Sequence, residues 1–233
     1  MNIPILHEDD DILVCVKPQG VPVQADKSRD TDMMSYLKNH IFENEQRDEE
    51  PYLALIHRLD RPVGGVMVFA KNQKAAADLS DQVQEGTMIK FYQAVLTGEL
   101  PDECGTLTDY LLKDGKTNMS KVVSKDTKGA KKAELDYEVL DVMETDDGVL
   151  SYVLIQLITG RHHQIRVQTS SRNAGIYGDT KYNPKFTNTK KKYQQIALYA
   201  TRLEFEHPTT KEHLVFKREP EGDVFDVIEL DEF

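Results

Sequence analysis

The stretch Leu53-Ala54-Leu55-Ile56-His57-Arg58-Leu59-Asp60-Arg61-Pro62-Val63-Gly64-Gly65-Val66-Met67-Val68-Phe69-Ala70 decides the fold. Its two apolar runs, 53–59 and 66–70, are too short for stable helices and read as buried strands. Between them Pro62 biases Arg61 away from helix, and the paired glycines Gly64 and Gly65 allow positive φ, so the chain reverses tightly. Asp60 therefore stands at the mouth of a hairpin, on backbone held by two strands.

Outward from that hairpin, residues 12–16 form a β-branched apolar run ending at Lys17-Pro18-Gln19-Gly20, a strand followed by a turn. Residues 31–42 place Met33, Met34, Leu37 and Ile41 at helical spacing, and a charged loop over 43–51 follows. Asn72 caps a helix over 73–85 with Ala76, Leu79 and Val83 along one stripe. Further strands are expected at 89–97, 133–142, 149–158, 196–205 and 213–216, with a helix starting near Arg161 or His162. Residues 104–132, rich in Lys, Thr, Ser and Gly, are expected as a long loop with a functional role. Strands dominate and helices are scattered, so the fold class is α+β, with a central mixed, largely antiparallel sheet and flanking helices.

The chain has 233 residues, of which 39% are hydrophobic and 30% charged, the profile of a globular protein that buries its core without disulfides or a structural metal. One domain over residues 1–233 is expected. Its two cysteines, Cys15 and Cys104, exclude a disulfide framework, no apolar run reaches membrane-spanning length, and no leader peptide is expected. These features place the chain in a reducing cytoplasm, away from membranes. The net charge of −11 argues against nucleic acid, but its distribution does not. Residues 113–132 hold seven lysines and two aspartates, and residues 181–192 hold five lysines and no acid. A basic face on an acidic body is one reading of these segments, and solvated loops are the other.

Two constellations carry candidate chemistry. His57-Arg58-Leu59-Asp60 puts a carboxylate and a long cation at the end of a buried strand, where rigid backbone fixes both. A surface Arg58–Asp60 pair closing the hairpin would give the same pattern. Thr159-Gly160-Arg161-His162-His163-Gln164-Ile165-Arg166-Val167-Gln168 breaks out of an apolar strand with cations that a core would not tolerate unpaired. Adjacent His162 and His163 lack zinc-ligand spacing, so no metal is expected. The absence of GxxxxGK[ST], of GxGxxG after a strand and of GxSxG removes support for nucleotide cofactors and for serine-hydrolase chemistry. On the strand Lys90-Phe91-Tyr92-Gln93-Ala94, alternation sends Phe91 and Tyr92 to opposite faces, one to the core and one to a cleft. Gly178-Asp179-Thr180-Lys181-Tyr182 and His207-Pro208 read as turns with structural roles.

In their order these motifs resemble the RluA-type family of pseudouridine synthases. The resemblance runs from Glu8-Asp9-Asp10 and Lys17-Pro18-Gln19-Gly20 through His57-Arg58-Leu59-Asp60, Lys90 to Ala94, Thr159 to Val167 and Gly178-Asp179 to His207-Pro208. It implies a central mixed sheet crossed by a basic cleft, and isomerisation of uridine to pseudouridine in structured RNA, rRNA or tRNA, without cofactor or metal. Asp60 falls on the family's catalytic aspartate, which breaks the C1′–N1 bond so that the uracil rotates and rejoins through C5. Arg58 matches the arginine that enters the stack when the uridine is flipped out. Tyr92 matches the tyrosine that stacks on the flipped base and helps remove the C5 proton, and Arg166 the basic residue that keeps the aspartate ionised. Ile165 is placed beside the base, and His57 and Arg161, from the same two motifs, are assigned to substrate binding. The two lysine-rich segments would supply phosphate contacts.

The chain departs from the family pattern at Val63-Gly64-Gly65, where many members have Thr-Ser-Gly, at Asn173 and Gly175, often Gly and Pro, and at Asn183, often Gly. No small S4 RNA-binding domain of the kind some relatives carry is expected before Asp9, and substrate choice is expected to rest on the catalytic domain, acting as a monomer. The rival from another class is a catalytically inactive RNA-binding or RNA-chaperone module of the same fold.

Overall fold

In the computed structural model residues 2–26, 28–46, 48–146, 148–187 and 195–226 are described. Lys190, Lys191 and Lys192 of the second basic segment lie outside them. The element order is β1 (Ile5–Glu8), β2 (Ile12–Lys17), α1 (Met33–Asn44), β3 (Ala54–Leu55), β4 (Gly64–Ala70), α2 (Gln73–Glu85), β5 (Ile89–Thr97) and β6 (Cys104–Asp114). It continues with β7 (Met119–Val123), β8 (Lys131–Thr145), β9 (Gly148–Leu157), α3 (Gln164–Ser170), β10 (Gly175–Ile176), β11 (Leu198–Glu206) and β12 (His213–Lys217). The class is α+β, as the alternation of short apolar runs requires. Two compact units are formed, one from residues 1–89 and 200–219, the other from 90–199 and 220–233.

In the first unit β2 pairs antiparallel with β1 and β4, β3 with β4, and β11 with β12. Ile12, Val14, Val66, Val68, Ala70, Leu203 and Phe205 form a core closed by Ala75 and Leu79 of α2. The Asn72 side chain accepts from Ala75 N at 2.8 Å, and Gly86 ends the helix in the left-handed region, so α2 has the bounds its local sequence predicts. Helix α1 begins two residues later than its periodicity implies, because Asp32 is the cap and accepts from Ser35 N at 3.0 Å. The expected strand over 53–59 shortens to Ala54–Leu55. Its pairing ends at Leu55 and Phe69, and the next β4 donor, Val68 N, is satisfied by the His57 side chain instead of by backbone.

In the second unit β10, β5, β9, β8, β6 and β7 lie side by side, each antiparallel to its neighbour. The expected loop over 104–132 is corrected here. Most of it is the β6–β7 hairpin, in which Leu107 and Leu111 are buried while Thr106 and Thr108 face solvent, a period of two that the lysine-rich composition obscures. Asp114 makes the turn, accepting from Lys116 N and Thr117 Oγ1 at 2.8 and 2.9 Å. Helix α3 starts at Gln164, later than expected, because His163 is left-handed at φ 53° and the Gln164 side chain caps back onto Arg161 N at 2.9 Å.

Candidate active site

In the first unit the candidate nucleophile sits on a corner built around a buried lysine. Lys17, the last residue of β2, has no exposed surface, and its Nζ donates to the carbonyls of Pro18, Arg61 and Val63 at 3.0, 3.0 and 2.6 Å. Three carbonyls match the three donors of an ammonium. Val63 N donates to Asp60 O at 2.9 Å and closes the turn that the lysine holds from below. Burial pushes Lys17 down to about 7, against the attraction of the Asp60 carboxylate and with the repulsion of Arg61.

Gly65 lies opposite Lys17 in the ladder at φ 124°, and a Cβ there would come within 2.2 Å of Ala200 O. Only glycine fits, which accounts for the one turn residue shared with the family pattern at 63–65. Arg61 is committed to the scaffold. Its Nε donates to Gly20 O at 2.8 Å, its carbonyl accepts from Gly20 N at 2.8 Å, and its Nη atoms reach Asp26, Ser28 and Asp30. Along the tetrapeptide His57 turns inward, its Nε2 accepting from Val68 N at 3.2 Å, and Leu59 is buried. Arg58 is exposed and Asp60 half-buried.

In the second unit α3 carries Ile165 and Arg166, both buried. Arg166 Nε and Nη2 donate to the two carboxylate oxygens of Asp179 at 2.7 and 2.8 Å, and Asp179 is wholly buried. The same carboxylate accepts from Lys181 N at 2.9 Å and Tyr182 N at 3.3 Å, so its lone pairs are well used. The guanidinium lies over the Tyr182 ring, 5.2 Å from its centroid. Burial holds His163 down to about 2, helped by Arg166, His162 and Lys181, so its imidazole is neutral. The Tyr182 hydroxyl can then accept from Ser120 N at 2.8 Å and donate to His163 Nδ1 at 2.7 Å.

Arg161 donates from Nε to Lys132 O at 2.8 Å and keeps its guanidinium at the surface. Tyr92, on β5 opposite Ile155, is the buried member of the aromatic pair, and Phe91 is half-buried. The structure thus brings His57, Arg58 and Asp60 onto one corner of the first unit, and Arg161, Ile165 and Arg166 onto the start of α3 in the second. Sequence reasoning placed Lys17 at a strand end and Asp179 and Tyr182 in a structural turn, without assigning any of the three a part in holding the site. The available signal for Lys17 was a charged residue ending an unbroken apolar strand, and for Asp179 its place between a turn glycine and two backbone donors. Among the described residues no group of three or more His, Cys, Asp or Glu side chains is placed to hold a metal ion.

The departures from the family pattern resolve into local solutions. Asn173 adopts φ 60°, a left-handed conformation that asparagine tolerates where glycine is common. Gly175 and Asn183 form a complementary pair. A Cβ on Gly175 would meet Asn183 Cβ and Cγ at 2.9 Å, and Asn183 Nδ2 donates to Thr97 Oγ1, Gly175 O and Ile176 O at 2.8, 3.1 and 2.9 Å. The side chain gained at one position fills the space released at the other.

Residues 11–171 match the family described as RNA pseudouridylate synthase. The chain is 30% identical over 230 residues to the uncharacterized RNA pseudouridine synthase YlyB of Bacillus subtilis, covering 98% of this chain and 73% of that protein. It is 32% identical over 213 residues to ribosomal large subunit pseudouridine synthase C of Salmonella typhimurium, covering 89% of this chain and 63% of that protein. The chain therefore spans about two thirds of the length of the curated relatives it matches. Its fold is that of human RNA pseudouridylate synthase domain containing 4, with a TM-score of 0.74 at 24% identity over 93% of this chain and 88% of that one.

Proposed function

Because the chain belongs to the RluA-type RNA pseudouridylate synthase family, we propose that it isomerises uridine to pseudouridine in structured RNA, with rRNA or tRNA as substrate and the cytoplasm as its place of action. The observation that carries the reading is the Asp60 corner, a half-buried carboxylate on a turn clamped from beneath by Lys17 and from the side by Arg61. Such rigidity suits a nucleophile, which gains most when its approach is fixed before substrate arrives.

The reaction balances without a co-reactant. The C1′–N1 bond breaks with assistance from the Asp60 carboxylate, the uracil turns, C1′ bonds to C5, and the C5 proton leaves while N1 gains one. Arg58, exposed beside the nucleophile, is the side chain that replaces the flipped uridine in the stack. Tyr92 supplies the aromatic face and assists removal of the C5 proton. Arg166, its plane fixed by Asp179, takes the part of the basic residue in the reaction. Ile165 packs beside the base, and His57 and Arg161 support substrate binding. The test is tritium release from large-subunit rRNA and tRNA transcripts labelled at uracil C5. Release is expected from at least one class of transcript, and RNA binding with no release from any would favour an RNA-binding module of the same fold.

A further inference from the structure

The lysines that enter the fold of the first unit are paired. Lys17 gives its donors to three backbone carbonyls, and Lys71 meets Glu8 and Glu45 at 2.9 and 2.8 Å. Lys90, on β5 in the second unit, differs from both. It is half-buried, and burial holds its ammonium below the ordinary lysine value with no carboxylate to offset the effect. Among the described residues nothing bonds to or pairs with its Nζ. The carboxylates beside α3 are already taken, Asp179 by Arg166 at 2.7 Å and Asp109 by Gln168 and Arg172 at 2.8 Å each. A partly desolvated cation without a mate costs stability, and it marks a place where a ligand supplies the missing charge.

The position of Lys90 in the sheet identifies that ligand. Alternation sets Lys90 on the same face of β5 as Tyr92. The ladder carries this face across the unit, because Tyr92 is opposite Ile155, Ile155 opposite Tyr137, and Tyr137 opposite Gly105. By the same alternation Ala133 of β8 and Leu111 of β6 stand on it, and Val167 of α3 packs against both. It is therefore the face that α3 covers, the helix of Ile165 and Arg166. Tyr92, Ile155, Leu135 and Tyr137 are all buried there, so a charge brought to this face acts at low dielectric. Residues two apart on a strand stand about 7 Å from each other, and a lysine has a four-carbon stem, so a base lying on the Tyr92 ring is within reach of the Lys90 ammonium. We propose that Lys90 is a further catalytic residue, whose ammonium meets the negative charge that develops on the uracil as the C1′–N1 bond breaks. The electron pair of that bond goes to N1 and spreads onto O2 and O4, and the charge lasts until C5 bonds to C1′. Lys90 itself exchanges no proton; the C5 proton leaves and N1 gains one as in the reaction above. This inference rests on the isomerase function proposed above, with Tyr92 as the stacking platform.

The test compares the full chain with Lys90→Met and Lys90→Arg in single-turnover tritium release from C5-labelled rRNA and tRNA transcripts, with RNA binding across a salt series and thermal melts alongside. Lys90→Met should release tritium about 100-fold more slowly, the order expected on losing one preorganised electrostatic donor. Its Kd for RNA and the salt slope should match wild type, since the contact is made as charge develops and not on binding. Lys90→Arg, which keeps the charge, should recover most of the rate. Methionine removes an unpaired, partly buried charge, so Lys90→Met should melt at or above the wild-type temperature. A packing role would instead lower melting temperature and rate together, without rescue by arginine, and would overturn the proposal. A wild-type rate in Lys90→Met would overturn it too, as would a weakened Kd whose salt slope drops by about 0.7 to 0.9 at an unchanged rate, the signature of a phosphate contact. Each of these results presupposes release by wild type and so leaves the isomerase reading standing, whereas RNA bound by wild type with no release from any transcript overturns that reading and Lys90's part with it.

Discussion

Arg166 and Asp179 meet edge to edge, two nitrogens on two oxygens at 2.7 and 2.8 Å, with the arginine 4% and the aspartate 0% exposed. Charge-assisted bidentate pairs fix orientation as well as charge, so Asp179 sets the plane in which Arg166 is presented. Removing the carboxylate leaves a buried guanidinium uncompensated. Asp179→Ala should cost about 3 to 5 kcal/mol in urea unfolding. A cost under about 1 kcal/mol would mean that the pair does not hold α3 in place.

Lys17 links stability to pH. Its folded form gives up its proton at about 7, well below the value of about 10.4 for a free lysine, so the unfolded chain binds more protons between these limits. Stability from this group is therefore fully present above about pH 10 and is lost as pH falls toward 7. Unfolding free energy measured from pH 7 to 10 should rise in wild type and rise less in Lys17→Met. The same variant leaves the Arg61 and Val63 carbonyls without their donor, and a turn displaced by about an ångström should lower kcat on the order of 100-fold. Equal pH slopes in the two proteins would remove this role.

Asp9 carries the opposite sign. Partial burial raises its pKa, but hydrogen bonds from His7, from the Ile12 and Asp11 amides and from His207 outweigh it and hold it at about 2. Its contribution is present above about 3.8 and lost as pH falls toward 2. Acid titration of thermal stability should show a drop in wild type between pH 4 and 2 that is smaller in Asp9→Asn, and matching curves would contradict the assignment.

Gly175 and Asn183 should be coupled. Gly175→Ala drives a Cβ into Asn183, and Asn183→Gly removes three buried hydrogen bonds, each change costing about 1 to 3 kcal/mol. In the double variant the clash is gone, so the combined cost should fall short of the sum by more than about 0.5 kcal/mol. Additive costs in a denaturant-based double-mutant cycle would show that the two positions are independent.

What the sequence reveals here depends on range. Helix α2 is legible to the residue because Asn72 and Gly86 act within one turn of it. The strand over 53–59 was overextended because a side chain, His57, takes the backbone donor of Val68 eleven residues on, which no pattern of apolar residues records. The β6–β7 hairpin was hidden by lysines, whose abundance reads as loop although Leu107, Leu111 and Ser120 are buried at alternate positions. Lys17 with Arg61 and Val63, and Arg166 with Asp179, are contacts across tens of residues or between a helix and a turn. Motif order singles out Asp60 in one unit and Arg166 in the other as candidates, and the structure supplies what holds each of them.

The most direct measurement is tritium release from C5-labelled rRNA and tRNA transcripts by wild type and Asp60→Asn, after matched thermal melts show that both are folded. The account predicts release by wild type and none above background by Asp60→Asn. Equal release by the two proteins would contradict Asp60 as the nucleophile, and no release by wild type from any bound transcript would contradict the isomerase itself.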